Sequence, residues 1–339
     1  MSVQATFSAT LVDEWVHLGV TDTVICPGSR STPLALPLAE RLRAHVRLDE
    51  RSAAFFALGL AQASGRPTVV CVTSGTAAAE LHPAVVEAHH ACVPLIVCTA
   101  DRPPELHGTG APQTIDQVGL FTTATRWAVS PGVPTEGQER TWRPLAARAF
   151  AESTRGPHGP GPVHLNLAFR EPLTGEAGEL PARAASPRSA DMAARPREAP
   201  PGERLEGRGL VIVGGQSPTP PDPALVHALG ERLRWPVLAD PRSRSRTPGT
   251  IAAADAIVRA GAPLPETVVL LGSPWLSRAV GEYVSSTASA GARVVVVDPS
   301  WQWADPNRVA TDFVHGDTDA WLASAIAGAA PCDSDWLDS

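Results

Sequence analysis

Four short turns of chemically capable residues follow four short apolar runs near the start of the chain. They are Cys26-Pro27-Gly28-Ser29-Arg30-Ser31, Asp49-Glu50-Arg51-Ser52, Thr73-Ser74-Gly75-Thr76 and Ala100-Asp101-Arg102-Pro103. Such residues offer a carboxylate for proton transfer, guanidinium forks for anions, and glycines that let the backbone approach a ligand closely. Because turns at the carboxyl ends of parallel strands face one crevice, we expect all four to converge on one site.

The apolar runs alternate with helical patterns, which is typical of parallel strands buried on both faces. Before residue 170 we predict strands at 23–26, 45–48, 68–72, 94–98 and 163–167, and helices at 5–18, from 32, and at 51–63, 76–91 and 138–153. A second unit is predicted to have strands at 210–213, 237–238, 268–271 and 294–297, and a last helix at 318–327. The pattern predicts an α/β protein with two doubly wound parallel-sheet domains, the second of them Rossmann-like.

Composition shifts mark the expected domain boundaries. Residues 1–170 form the first predicted domain and residues 207–330 the second, joined by a Pro-, Ala-, Arg- and Gly-rich linker at 171–206. The acidic segment 331–339 is expected to be an unstructured tail. The loop after Thr99 is too long and too polar for a simple connector, so we expect it to carry function.

The overall composition excludes several classes of protein. The net charge of -7 disfavours a nucleic-acid partner, and all 28 basic residues are Arg, which excludes Schiff-base lysines and a P-loop. The five cysteines form no C-x-x-C pair, so neither a disulfide framework nor a zinc site is expected. No apolar run is long enough to span a membrane and no signal peptide is recognisable, which predicts a cytoplasmic protein.

Longer runs around the turns carry a family resemblance. CPGSRSTPLALPLAE, RLDERSAAFFALGLA, CVTSGTAAAELHPAVVEAHHA and TADRPPELHGTGAPQTIDQVGLF resemble the 2-succinyl-5-enolpyruvyl-6-hydroxy-3-cyclohexene-1-carboxylate (SEPHCHC) synthases, thiamine-diphosphate enzymes of menaquinone biosynthesis. The resemblance continues more weakly at VLADPRS, LLGSPWLSR and VDPSWQWADPNRVAT. It implies that the first domain is the pyrimidine-side domain, and that the cofactor lies across a subunit boundary in a homo-oligomer, a dimer or a tetramer.

The resemblance also implies an activity. These transferases decarboxylate 2-oxoglutarate on thiamine diphosphate with Mg²⁺ or Mn²⁺, then add the four-carbon unit to isochorismate. A carboxylate that matches Glu50 hydrogen-bonds the aminopyrimidine and favours the tautomer that removes the thiazolium proton. The other residues that match by position are, on the cofactor side, Pro27, Gly28, Thr73, Ser74 and Gly75, and, on the substrate side, Ser29, Arg30, Arg102, Gln113 and Arg278.

The same residues have plainer interpretations. Glu50 is also suited to a helix N-terminus, where the macrodipole favours an acid. The turn at 73–75 is also a strand-to-helix connection with Thr or Ser as the cap, and each arginine could be a surface charge or half of a structural ion pair. We assign His82, His89 and His90 to capping or packing, because their spacing alone makes no metal site.

The chain departs from the family pattern at two places. Pro112 stands where the family has an amide residue, and it restricts the backbone beside Gln113. No Gly-Asp-Gly motif with a later Asn follows the linker, since Gly316-Asp317-Thr318 reads better as an N-cap. We therefore expect the metal and the diphosphate to be held by a third domain that this sequence lacks, and the chain to be inactive without it.

Two other functional hypotheses remain open. The first is a non-catalytic isochorismate-binding or regulatory subunit that has lost the cofactor half of the site. The second is a nucleotide-binding protein of two domains, because the turn at 213–217 vaguely resembles a dinucleotide loop, although G-x-G-x-x-G is absent from it.

Overall fold

The computed structural model describes residues 1–155, 159–183, 204–215, 217, 219–300, 303–332 and 335–338. The chain divides into two compact units, Met1–Ala194 and Arg195–Ser339, and each contains one parallel sheet flanked by helices. The prediction of an α/β protein with two doubly wound parallel sheets is therefore confirmed. In the described part of the chain, no helix is both long enough and apolar enough to cross a membrane.

The sheet of unit 1 has six strands in the order β2-β1-β3-β4-β6-β5. These strands are β1 (Asp22–Ile25), β2 (Arg43–Val46), β3 (Thr68–Val72), β4 (Leu95–Asp101), β5 (Trp127–Val129) and β6 (Pro162–Ala168). The helices are α1 (Val3–His17), α2 (Thr32–Arg41), α3 (Glu50–Ser64), α4 (Thr76–Ala79), α5 (His82–His90) and α6 (Glu139–Arg155). All neighbouring strands are parallel, so their carboxyl ends lie at one edge of the sheet.

Alternating strand side chains divide the core of unit 1 into two layers. Ile25 and Cys71 pack with α1, α2 and α6, whereas Val24 and Val70 pack with α3, α4 and α5. This alternation follows from the two-residue period of a strand, and it explains why the central strands are apolar throughout. Helices cover both faces, which leaves the edge at the carboxyl ends as the place where the turns meet.

Two elements of unit 1 differ from the sequence prediction. The helix predicted at 76–91 is two helices, because Pro83 lacks an N–H and its ring clashes with the carbonyl four residues earlier, at Ala79. Strand β5 was not predicted, since three residues at the edge of a sheet are too few to show a period.

Unit 2 has five strands in the order β11-β10-β9-β7-β8. These are β7 (Gly209–Val213), β8 (Val237–Ala239), β9 (Thr267–Leu271), β10 (Arg293–Asp298) and β11 (Asp312–His315). The helices are α7 (Pro223–Leu233), α8 (Ala254–Arg259), α9 (Arg278–Ser289) and α10 (Thr318–Gly328). One face packs on α7 and α10 and the other on α8 and α9. Asp317 caps α10 by accepting from the Asp319 and Ala320 N–H groups, as predicted.

The segment 331–339, predicted to be an unstructured tail, is instead part of unit 2 where it is described. Trp336 is only 8% exposed, and its indole N–H donates to the Gly209 carbonyl at 2.7 Å. Cys332 is also buried, and its backbone N–H bonds to the Leu233 carbonyl. The acidic composition of the segment did not indicate this packing, because only two side chains, Cys332 and Trp336, supply the burial.

Residues 171–183, the first part of the predicted linker, lie along unit 1. The Ser2 N–H donates to the Glu176 carbonyl at 2.8 Å, and Arg183 pairs with Asp13 at 2.6 Å. Residues 184–203, most of the remaining linker, lie outside the described residues. The assignment of the two predicted domains to their roles stays a prediction.

Candidate functional site

The turns after β1 and β3 touch each other at the edge of the unit 1 sheet. A Cβ added at Gly28 would lie 2.5 Å from the Thr73 Cβ, which is closer than real side chains approach. Only glycine therefore permits this contact. Pro27 and Ser29 flank the glycine at the surface, and the Ser29 side chain has no hydrogen-bond partner among the described residues.

The loop that follows β4 folds back onto the β3 turn. The Ser74 hydroxyl donates to the Gln113 carbonyl at 3.0 Å, and the Gln113 amide donates to the Ser74 carbonyl at 3.2 Å. The Gly75 N–H donates to the Gln117 Oε1 at 2.8 Å. Gly75 has a φ of 81° and Gln113 a φ of 59°, so the turn uses the left-handed region on both sides of the contact. Gln113 holds this pose with Pro112 before it.

Two arginines of the turns at this edge carry guanidinium groups within electrostatic reach of each other. The Arg30 side chain is 10% exposed, and its Nη1 donates to the Phe169 carbonyl at 3.0 Å. Its buried Nε has no hydrogen-bond partner among the described residues. Arg102 donates from Nη1 to the Ser74 hydroxyl. Burial, and then the charge of Arg30, lower the pKa of Arg102, which indicates that the two cations are within electrostatic reach of each other.

Glu50 is the first residue of α3, immediately after its cap. Asp49 is that cap, since its carboxylate accepts from the Ser52 N–H at 2.7 Å. The Glu50 side chain is half-buried and has neither an ion-pair nor a hydrogen-bond partner in the described part of the chain. Burial, followed by the charges of Glu50 and Asp49, raises the pKa of the Cys26 thiol to about 12. The Glu50 carboxylate thus lies near the start of the β1 turn, and no donor of the described residues occupies its oxygens.

A buried polar network, which the sequence analysis missed, lies beneath these turns. The Asn166 amide donates to the Asp101 Oδ2 at 2.8 Å, and the Asn166 Oδ1 accepts from Gln117 at 2.8 Å and from Thr99 at 2.9 Å. The other Asp101 oxygen accepts the Arg102 backbone N–H at 2.7 Å. Gln117, Asp101 and Asn166 are each at most 2% exposed. The network therefore ties the backbone of Gly75 and of Arg102 to the centre of the sheet.

The sequence did contain a signal for this network. Thr99 and Asp101 in β4, like His164 and Asn166 in β6, are polar residues two apart in otherwise apolar strands. A period of two places each pair on one face, and Thr99 is the register partner of Asn166. Gln117 had no such signal, because it lies in a loop of irregular conformation.

Arg278 belongs to unit 2, where it is the first residue of α9 and lines a groove of about 810 Å³ with residues 272–277, 304–307 and 309. Its guanidinium is 89% exposed and pairs with Glu282 at 2.8 Å. In the turn at 213–217, a Cβ at Gly214 would overlap the Ser273 carbonyl oxygen, so Gly214 packs directly against the backbone of Ser273. Gln216 of that turn lies outside the described residues.

The histidines singled out in the sequence pack against neighbours. His82 contacts Phe121 edge to face. The Arg126 guanidinium group donates to the His89 ring nitrogen Nδ1 and to the His89 carbonyl. Within the described ranges, no group of three or more His, Cys, Asp or Glu side chains could hold a metal ion.

Comparison with known proteins identifies the relatives of this chain. Residues 5–120 match the family model described as the thiamine pyrophosphate enzyme, N-terminal TPP binding domain. A protein of Thermobifida fusca named 2-succinyl-5-enolpyruvyl-6-hydroxy-3-cyclohexene-1-carboxylate synthase is 45% identical over 93% of this chain and 58% of its own length. Proteins of the same name from Chloroflexus aurantiacus and Geobacillus kaustophilus are 41% and 40% identical, over 55% and 57% of their lengths.

The matches to the relatives extend over both units, and the family model covers the turns after β1, β2, β3 and β4. The chain spans less than two thirds of the length of these relatives. Along most of its length the chain is similar to proteins named SEPHCHC synthase, and its residues 5–120 match a thiamine pyrophosphate enzyme domain.

Proposed function

We propose that this chain supplies the pyrimidine-side and substrate-binding part of a SEPHCHC synthase. In the proposed reaction, 2-oxoglutarate loses the carboxylate next to its oxo group as CO₂. The remaining four-carbon unit forms a new carbon–carbon bond to isochorismate. The cofactors are thiamine diphosphate and Mg²⁺ or Mn²⁺. Residues 1–170 form the pyrimidine-side domain, residues 207–330 form the Rossmann-like middle domain, and the metal and diphosphate are held by chain outside this sequence. The protein acts in the cytoplasm as a homo-oligomer, a dimer or a tetramer.

The observation that carries this proposal is the pair Arg30 and Arg102 at the same sheet edge as Glu50, whose carboxylate has no partner among the described residues. Isochorismate and 2-oxoglutarate both carry two carboxylates, and forked guanidinium groups are the donors that bind carboxylates best. The Arg30 Nε–H is buried and has no hydrogen-bond partner in the described part of the chain, so a ligand oxygen would compensate its desolvation. Arg30, Arg102, Ser29 and Gln113 are assigned to isochorismate, and Arg278 of unit 2 is assigned to a further carboxylate.

The residues around Glu50 fit the aminopyrimidine of thiamine diphosphate. The Glu50 carboxylate accepts a hydrogen bond from a ring nitrogen and holds the proton there, a role that partial burial suits. Gly28 lets the turn after β1 approach Thr73, and Gly75 lets the turn after β3 approach Gln113. Pro27, Thr73 and Ser74 then line the ring through backbone groups. Thiamine diphosphate, when bound, supplies the nucleophilic carbon that attacks the 2-oxo acid.

Isothermal calorimetry with isochorismate tests the proposal on the chain as it stands. We expect saturable binding that weakens at least ten-fold in Arg102→Gln, because a charged hydrogen bond contributes about 1.5–3 kcal/mol. Arg170→Gln is the matched control, since Arg170 is an exposed arginine that pairs with Glu105 at 2.6 Å. Equal affinities for both variants, or no binding by the unmodified chain, would contradict the assignment.

A second measurement separates the synthase from a regulatory subunit. The chain is mixed with the segment of the Thermobifida fusca synthase that it does not match, together with thiamine diphosphate, Mg²⁺ and both substrates. CO₂ release that is lost in Glu50→Gln supports the synthase. Tight isochorismate binding with no CO₂ release from any such mixture supports the regulatory subunit.

A further inference from the structure

Two carboxylates, of Asp101 and Glu171, act on the arginine pair, and they differ in how firmly the protein holds them. Asp101 is 1% exposed, and both of its oxygens accept hydrogen bonds, from the Arg102 N–H and from Asn166. Glu171 is 68% exposed and contacts the Arg30 Nη2 at 3.2 Å, which is its only ion pair among the described residues. Asp101 is therefore a fixed part of the site, whereas Glu171 can leave it.

The backbone keeps Glu171 close to the guanidinium group. Arg30 donates to the carbonyl of Phe169, two residues before Glu171, and Phe169 is fully buried. The Phe169 N–H in turn donates to the Asp101 carbonyl at 3.1 Å. A tethered carboxylate so close to its partner has a high effective concentration, so it returns to Arg30 whenever the position is open.

Glu171 also acts on the second arginine. Burial and the charge of Arg30 lower the pKa of Arg102, while Asp101 and Glu171 oppose this effect. The Glu171 charge thus lies where it reduces the repulsion between the two cations. A carboxylate ligand that bridges them would perform the same task, so the two anions compete for one position.

We propose that Glu171 is an internal competitor of the substrate carboxylate: it occupies the Nη2 of Arg30, and isochorismate must displace it to bind. This inference rests on the proposed function. Its consequence is that Glu171 lowers the affinity of the site and helps to expel a product that retains its carboxylates. Because the Glu171 side chain is largely exposed, the effect is modest, about two- to five-fold in affinity.

Calorimetry with isochorismate on Glu171→Gln tests the inference. We expect binding about two- to five-fold tighter than that of the unmodified chain. Glu105→Gln is the matched control, because Glu105 is also exposed and carries the same charge, but pairs with Arg170 instead of the arginine pair. It should change the affinity less than about 1.5-fold. Glu171 is exposed, so the variant keeps the fold, which thermal unfolding verifies.

A double-mutant cycle shows whether the effect passes through Arg30. In the Arg30→Gln background, Glu171→Gln should change the affinity less than about 1.5-fold, because the shared guanidinium is gone. Unchanged or weaker binding by Glu171→Gln in the unmodified background overturns the inference and leaves the proposed function intact. If neither the unmodified chain nor Glu171→Gln binds isochorismate, the proposed function and this inference both fail.

Discussion

At the scale of single residues, the site combines two arginines with a carboxylate. Arg30 and Arg102 are cations within electrostatic reach of each other, an arrangement that costs Coulomb energy unless an anion lies between them. Glu50 is a carboxylate without a partner in the described chain, next to a thiol that burial keeps neutral. Both features favour a ligand that brings negative charge to the arginines and a hydrogen-bond donor to Glu50.

Beneath these groups, His164 is a buried base that should make stability depend on pH. It is 1% exposed, and burial lowers its pKa from 6.5 to about 4. Thr99 donates to Asn166, so the neutral His164 ring donates its Nε2–H to the Thr99 hydroxyl. Protonation would add a charge that the surrounding core cannot solvate.

Between these two pKa values the unfolded chain binds a proton that the folded protein excludes. The free energy of unfolding should therefore fall by about 3 kcal/mol as the pH drops from 7 to 4. Urea unfolding of His164→Gln should lack this part of the pH dependence, whereas His17→Gln, an exposed histidine of α1, should keep it. Asp22, whose pKa is lowered chiefly by Arg43, loses its contribution only at a lower pH. The same pH dependence of the free energy of unfolding in His164→Gln and His17→Gln would contradict the prediction.

At the scale of elements, the loop after β4 is held to the β3 turn by a few polar contacts. Gln117 makes three of the buried contacts, to the Gly75 N–H, the Ala100 carbonyl and the Asn166 Oδ1. Its side chain thus fixes the position of the loop relative to the edge of the sheet. A loop of this length would otherwise be free to move away from the site.

Replacing Gln117 with Met should release this loop. We expect Gln117→Met to lower the free energy of unfolding by about 2–4 kcal/mol, because buried donors and acceptors lose their partners. Hydrogen exchange at the Gly75 amide should accelerate more than at core strand amides. Gln113→Met, an exposed glutamine in the same loop, should cost less than about 1 kcal/mol. A similar loss of stability in both variants would show that the buried contacts are not what holds the loop.

At the scale of the whole molecule, unit 2 closes its core with residues from the end of the described chain. Trp336 packs with Trp235 and Trp321 on the face covered by α7 and α10. Its hydrogen bond to the Gly209 carbonyl joins this segment to the first strand of the unit. Unit 2 therefore depends on residues that a boundary at 330 would remove.

Two tryptophans of unit 2 give a matched test. Trp336→Ala should lower the free energy of unfolding of unit 2 by about 3–5 kcal/mol, because it removes a large buried side chain. Trp303→Ala changes the same residue type at a position that is 78% exposed, and should cost less than about 1 kcal/mol. Urea unfolding monitored by circular dichroism measures both. A loss below about 1 kcal/mol in Trp336→Ala would contradict a structural role for this segment.

The sequence by itself determined the class of fold and the location of the candidate site. Apolar runs and helical periods are local, so the alternation of β3, α4 and β4 could be predicted from neighbouring residues alone. Because all the strands are parallel, the turns that contain Gly28, Ser74 and Arg102 had to lie at one edge. Those turns contain the most distinctive residues of the sequence.

Only the tertiary structure decided which groups pair across that edge. The contacts of Gln117 with Gly75, of Glu171 with Arg30 and of Trp336 with Gly209 each join residues distant in the chain. No local period encodes such pairs, because a loop residue or an acidic segment reveals its burial only when the chain has packed around it. The polar network and the competing carboxylate follow from that packing and from no single stretch of sequence.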